Sequence, residues 1–239
     1  MTLTGTNTYV VGRGPAWVID PGPDDAAHIA AVRAEGESRG GIGGVLLTHS
    51  HADHSAGVER LGEPLLWGAV SSFDETAWQP DPERRPASEA PAEFEVIPTP
   101  GHASDHASFG WGGVVFCGDI ILGEGSTIVP PAAFGGSLVD YLASLERLQA
   151  RGADLFAPGH GEWIADPRAK IGEYVAHRAL RERKLVAALD AGERSRSALL
   201  DAGWDDVPEI LRPAAAMAMQ AHLEKLEAEG IVDPGELVA

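Results

Sequence analysis

The stretch Thr48-His-Ser-His-Ala-Asp-His54 follows the apolar run Val45-Leu46-Leu47, and it sets three histidines and one aspartate within six residues. Imidazole nitrogens and carboxylates are the ligands that suit a catalytic zinc. His49 and His51 stand two apart and can converge on one metal, while Asp53 and His54 come one turn later and can address a second. A His-rich loop can also be a solvated turn. The rest of the chain decides between the two.

Three further segments place a metal-type ligand just past a strand-like run. Phe94-Glu-Val-Ile97 leads through Pro98-Thr-Pro-Gly101 to His102, Val114-Val-Phe-Cys117 leads through Gly118 to Asp119, and Leu155-Phe-Ala157 leads through Pro158-Gly159 to His160. In layered α/β proteins, reactive groups collect on loops at one edge of a sheet, where glycines let backbone come close. The four edges together offer five histidines and two aspartates. That set suits two metals that each keep a position for water.

The His-x-His-x-Asp-His pattern, the Gly-His pairs at 101–102 and 159–160 and the Gly-Asp pair at 118–119 resemble the metallo-β-lactamase superfamily over about residues 5 to 164. More narrowly, Gly5-Thr-Asn-Thr-Tyr9, Gly118-Asp-Ile-Ile-Leu-Gly-Glu124 and Tyr174-Val-Ala-His-Arg178 with Arg181-Glu182 resemble the β-lactamase-like protein 2 group within it. The resemblance implies an α/β fold: a four-layer αββα metallo-β-lactamase-like sandwich with a small C-terminal helical winged-helix-like domain. It implies two zinc ions, one held by His49, His51 and His102, the other by Asp53, His54 and His160, with Asp119 bridging. It also implies chemistry by a metal-bridging hydroxide that Asp53 helps to orient. Broad-spectrum β-lactamases often carry cysteine where this chain has Asp119, so a phosphodiester or thioester is the expected substrate, not an antibiotic. Members of the group usually carry a further strand ahead of the Gly5–Tyr9 stretch.

Hydrophobic residues make up 44% of the 239 and charged residues 23%, a globular balance. No run approaches the roughly 18 apolar residues of a membrane span. The N-terminal residues lack a charged and an apolar region of the exported kind, and one cysteine excludes an internal disulfide. A cytoplasmic protein without a membrane partner is expected.

A change of texture near Asp166-Pro167 divides the chain into residues 1–165 and 166–239. The first part holds 8 Lys+Arg against 22 Asp+Glu, the second 10 against 14. Asp166-Pro167 reads as a helix start, and Ile171, Val175, Ala179, Val186 and Leu189 form an apolar stripe behind it. A second helix ends at Gly203. A third runs from Pro213 to Glu229, with Met219, Leu223 and Leu226 inward and Gly230 as its cap. Ile231 to Val238 reads as two short extended pieces around a Pro-Gly turn. Residues 79–91, rich in Pro and Glu, read as a loop over the rim of the site.

Residues 166–184 form the one cationic island, with 6 Lys+Arg against 3 Asp+Glu. There Tyr174, His177, Arg178, Arg181 and Lys184 lie off the apolar stripe. They can bind an anionic substrate, or bridge to an acidic neighbour. His106, four residues past His102, is either a group near the metals that supports a ligand or transfers protons, or a loop anchor. Cys117 reads as a small buried residue, and His28 and His222 as surface or packing residues. Asp20 resembles a superfamily aspartate that supports the site, or is part of an Asp-Pro-Gly turn.

Three functions fit. The subgroup resemblance implies cleavage of single-stranded RNA, although a net charge of −18 repels polyanions. A small-molecule thioesterase of the glyoxalase II kind fits the same motifs. A metal-bound regulator with a DNA-reading tail fits least, because Pro213 to Gln220 has no basic residue for duplex DNA. Oligomeric state is open.

Overall fold

A computed structural model of the chain describes residues 5–67, 91 and 93–238. The rim loop expected at 79–91 lies, apart from Pro91, outside them. The four apolar runs read from the sequence are strands, and they fall into two four-stranded sheets. The first contains β1 (Tyr9–Val11), β2 (Ala16–Ile19), β3 (Ile42–Leu46) and β4 (Leu65–Trp67), with β2, β3 and β4 parallel. The second contains β5 (Glu95–Pro98), β6 (Ala107–Trp111), β7 (Val114–Gly118) and β8 (Leu155–Pro158). Two antiparallel steps followed by a parallel one make β5, β7 and β8 run the same way.

The chain divides into two compact units. Unit one comprises residues 1–99, 105–125 and 153–167; unit two comprises 100–104, 126–152 and 168–239. In unit one, Val11, Ile19 and Leu46 from the first sheet pack on Phe109, Phe116 and Ala157 of the second and on Phe94 just ahead of β5. The opposite face of the first sheet, through Val18, Val45 and Leu47, is covered by Ile29 and Val32 of α1 (Ala26–Ser38) and by Val58 and Leu61 of α3 (Gly57–Leu61). Burial on both faces is why the strand sequences are runs of apolar residues rather than alternations. Because the strands with shared direction end at one edge, the loops after β2, β3, β7 and β8 gather there.

Unit two is helical. It contains α4 (Leu138–Arg151), α5 (from Pro167, in unit one, to Asp190), α6 (Arg196–Gly203) and α7 (Arg212–Ala228). The helix starts and stops expected from Pro167, Gly203 and Gly230 are present, and Gly230 takes the left-handed φ of 72° that a helix cap favours. Met219, Leu223 and Leu226 are buried with Leu185, Leu199 and Trp204.

Two expectations are corrected here. The C-terminal stretch is not a pair of extended pieces. Asp233 caps a 3-10 turn at Pro234–Glu236, and Val238 makes a single bridge to Ser195. The buried face of α5 is also rotated from the apolar stripe. Ile171, Tyr174, Arg178, Arg181, Leu185 and Leu189 are buried, whereas Val175 is exposed. The spacing of three and four is helical, but the inward positions go to long side chains whose polar ends find partners within unit two. Among the described residues, no helix is long and apolar enough to cross a membrane.

Candidate metal centre

Each loop that leaves the shared edge delivers a histidine or an aspartate. Thr48 to His54 leaves β3 and turns into α2 (Ala52–Ser55), which carries Asp53 and His54. Asp119 follows β7 and His160 follows β8. His54 is fully buried, and His49, His160 and Asp119 are buried beside it in unit one, with Asp53 half-buried and His51 exposed. His49, His54 and Asp119 offer donor atoms within 4.8 Å of one another, as do Asp53, His54 and His160.

The imidazoles share an orientation rule. His54 Nδ1 pairs with Asp20 Oδ2 at 2.9 Å, His160 Nδ1 with the Gly5 carbonyl at 2.8 Å, and His49 Nδ1 with Thr48 Oγ1 at 3.0 Å. Within unit two, His102 Nδ1 pairs with the Ile128 carbonyl at 2.8 Å. A proton held at Nδ1 by an oxygen leaves Nε2 as the ligand nitrogen and fixes the ring. His51 differs, for its Nδ1 lies 2.9 Å from His49 Nε2.

The distances around His54 and His160 fit a metal. Among the described residues, His54 Nε2 is buried without a hydrogen-bond partner, and it lies 3.4 Å from Asp119 Oδ1. His160 Nε2 lies 3.3 Å from Asp53 Oδ2 and 3.4 Å from Asp119 Oδ2. These separations are long for hydrogen bonds. They match neighbouring ligands of a tetrahedral ion, which bonds of about 2.0–2.1 Å place about 3.3 Å apart. The electrostatics agree. Burial opposes the charge on Asp119, yet His160 and His54 hold its carboxyl well below the usual range. Burial likewise opposes a charged His160, but Asp119 and Asp53 push its imidazole up to about 10. Buried carboxylates that draw protons onto their imidazole neighbours mark a place for positive charge.

Two glycines show how tightly the loops close. A Cβ on Gly159 would stand 2.4 Å from Asp119 Oδ1 and 2.6 Å from His54 Cε1. One on Gly118, at a φ of 50°, would meet both His106 Nε2 and Thr48 Oγ1 at 2.7 Å. No other residue type fits at either position.

Residues 1–70 and 73–160 match the family model described as Metallo-beta-lactamase superfamily, and residues 203–236 match the Beta-lactamase associated winged helix domain. The chain belongs to the metallo-β-lactamase superfamily. Its fold is the αββα metallo-β-lactamase fold with a winged-helix domain at the C-terminus, and it is a hydrolase of that superfamily. Among its relatives is a Beta-lactamase-like protein 2 homolog of Drosophila melanogaster, 32% identical over 96% of this chain and 85% of the relative. Another is an Atrochrysone carboxyl ACP thioesterase of Aspergillus fumigatus, 33% identical over 84% of this chain and 65% of the relative. A metallo-beta-lactamase family protein from Thermus thermophilus superposes with a TM-score of 0.70 at 28% identity, covering 94% of this chain and 89% of that one. TTHA1623, solved in a di-iron-bound form, gives a TM-score of 0.52 at 26% identity over 68% of this chain and 91% of that one.

The substrate residues expected on α5 have other work within unit two. Arg178 donates to the Thr127 carbonyl, and its guanidinium lies 5.2 Å from the centre of the Tyr141 ring. Arg181 donates to the Gly203 carbonyl at 2.7 Å and grips both oxygens of Asp206 at 2.6 and 3.1 Å. His177 Nε2 accepts from Arg181 Nε at 3.2 Å, and Lys184 pairs with Asp205 at 2.5 Å. Tyr174 is buried beneath Lys170. Of the two readings of the cationic island, these contacts favour bridging to acidic and carbonyl neighbours at Arg178, Arg181 and Lys184. Of the readings of His106, the contacts favour an anchor: it is buried, with both ring nitrogens bonded to protein groups. Sequence reading missed Thr48 and Thr99, which hold these histidines in place. Their one sequence signal is adjacency to the ligand motifs.

Proposed function

We propose that this chain is a binuclear metallo-hydrolase of acyl thioesters, with Asp53, His54 and His160 holding one zinc ion, His49 and His51 ligands of the other, and Asp119 shared. The observation that carries the metal reading is the 3.3–3.4 Å spacing of donor atoms about Asp119, beside the orphaned His54 Nε2. Zinc bound there would lower the pKa of water towards neutrality and polarise the oxygen of the electrophile. Iron would suit the same nitrogen and oxygen donors.

The chain's own residues do the positioning. His54 and His160 direct Nε2 inwards because Asp20 and the Gly5 carbonyl hold their other nitrogens. Burial opposes the charge on Asp53, but nearby His160 and His54 keep its carboxyl low. It is therefore ionised at neutral pH, and its half-exposed carboxylate accepts a hydrogen bond from the attacking water and orients it.

Three observations favour a thioester over a polyanion. Arg178 and Arg181 are engaged inside unit two, and the net charge is −18. A relative named as a thioesterase aligns with most of the chain. A single-stranded RNA phosphodiester is the second reading, implied by the resemblance to the β-lactamase-like protein 2 group, whose Drosophila homolog aligns with 96% of this chain. Turnover of zinc-loaded protein on acyl thioesters, a fluorogenic RNA, a lactone and a β-lactam tests the assignment. The thioester should have the highest kcat/KM. RNA cleavage as the dominant activity would reverse the choice.

A further inference from the structure

His106 and Thr99 sit behind the metal centre with no role in the chemistry above. We propose that they form a positioning pair that fixes the main chain of Asp119, and through it the geometry for metal. The inference rests on the metal-centre reading just given.

Donor and acceptor roles around His106 are determined by one neighbour. The Asp119 N–H can only donate, and it points at His106 Nε2 from 3.1 Å. Nε2 is therefore the bare nitrogen, and the ring proton sits on Nδ1. Nδ1–H donates to Thr99 Oγ1 at 2.8 Å, and Thr99 Oγ1 in turn faces Ser108 Oγ at 3.0 Å. All three side chains are buried, where a run of aligned hydrogen bonds is stronger than in water. A histidine so engaged holds its neighbour and does not ferry protons.

The peptide it holds is the one that matters. The Gly118–Asp119 peptide is gripped on both sides: its N–H by His106, and its carbonyl by the Gly159 N–H at 2.8 Å, one residue before His160. The same segment also braces the first ligand loop, because the Ala107 N–H donates to the Thr48 carbonyl at 2.7 Å. His106 thus joins the loops of His49, Asp119 and His160 into one frame. Gly118 has no room to relax this frame, because a Cβ there would collide with His106 itself.

Thr99→Val removes the acceptor for Nδ1–H at nearly constant volume, and Thr99→Ser restores it. Zinc affinity is measured by chelator competition on the full chain, with melting temperature as the folding check and the ring 15N signals of His106 reporting its tautomer. The wild type should show the Nδ1–H tautomer with and without zinc. Thr99→Val should bind zinc about tenfold more weakly, within the range typical of lost outer-sphere contacts, and Thr99→Ser should restore most of the affinity. If Thr99→Val proves unstable, His106→Asn serves in its place, with the same loss expected. A folded variant with wild-type zinc affinity, or an Nε2–H tautomer in the wild type, would overturn the positioning role. A wild type that binds no zinc would instead overturn the metal-centre reading beneath it.

Discussion

Asp20 accepts a hydrogen bond from His54 Nδ1 at 2.9 Å, and it does so from a strained backbone, with a φ of 49° at a non-glycine residue. Its carboxylate also accepts from Thr48, through N–H at 2.8 Å and Oγ1 at 2.7 Å. Thr8 Oγ1 donates to the Asp20 carbonyl at 2.7 Å and meets His28 Nε2 at 2.9 Å, so the strained residue is held from both ends. A left-handed conformation kept by this many bonds marks a constrained site. Asp20→Asn keeps the shape but presents an amide N–H to one of its donors. Metal affinity measured against a chelator should fall about 10–100-fold. Unchanged affinity would show that His54 orients itself without Asp20.

Gly159→Ala drives a methyl group into Asp119 and His54. The variant should lose metal binding while its circular dichroism stays close to wild type. At Gly172, in α5, an added Cβ would meet nothing within 4 Å. Gly172→Ala should therefore raise unfolding stability by about 0.5–1 kcal/mol, the helix-propensity difference. Opposite outcomes for the pair, read in melts and metal titrations, check the local geometry of both units.

How much could be read in advance follows from where each residue lies. The ligands of unit one were legible because they closely follow β3, β7 and β8, whose sequences are apolar runs with mostly buried residues. His49, Asp119 and His160 needed nothing more than adjacency to Leu47, Cys117 and Pro158. The inward face of α5 was not legible, because Arg178 and Arg181 look like solvent residues until Thr127, Gly203 and Asp206 are brought to them. The same holds for His106, whose role depends on an Asp119 N–H thirteen residues away in sequence. Grouping of 100–104 with the helices was equally hidden, since it depends on contacts distant along the chain.

Arg181→Ala should act on stability and not on substrate. The buried guanidinium makes its bonds to Gly203 and Asp206, and hydrogen bonds to charged groups contribute about 1.5–3 kcal/mol. With Asp206 largely exposed, a loss of about 2 kcal/mol is expected by denaturant unfolding. KM for anionic and neutral substrates should change alike. A selective rise for the anionic substrate would return Arg181 to the substrate site.

Acid should weaken the helical unit in two stages. Burial, with the Arg178 and Arg181 guanidiniums, lowers the His177 imidazole to about 4, against about 6.5 when unfolded. Between those values the unfolded chain binds a proton that the folded chain does not, so stability is full above about pH 6.5 and declines towards pH 4. The His222 imidazole and, against some burial, the Lys225 ammonium hold Glu182 at about 2. Its contribution is present above about pH 4.3 and lost as pH falls through 2. Unfolding followed across pH should show both declines, and His177→Gln should flatten only the upper one. A variant with the wild-type slope between pH 6.5 and 4 would remove His177 from the account.

The central claim is that the cluster about Asp119 holds metal for hydrolysis. It is tested most directly by elemental analysis of protein purified without chelator, joined to turnover before and after metal removal. About two ions per chain are expected from a donor set of this size, with thioester hydrolysis abolished by chelation and recovered when zinc is returned. One ion or none, or hydrolysis that survives complete metal removal, would contradict it.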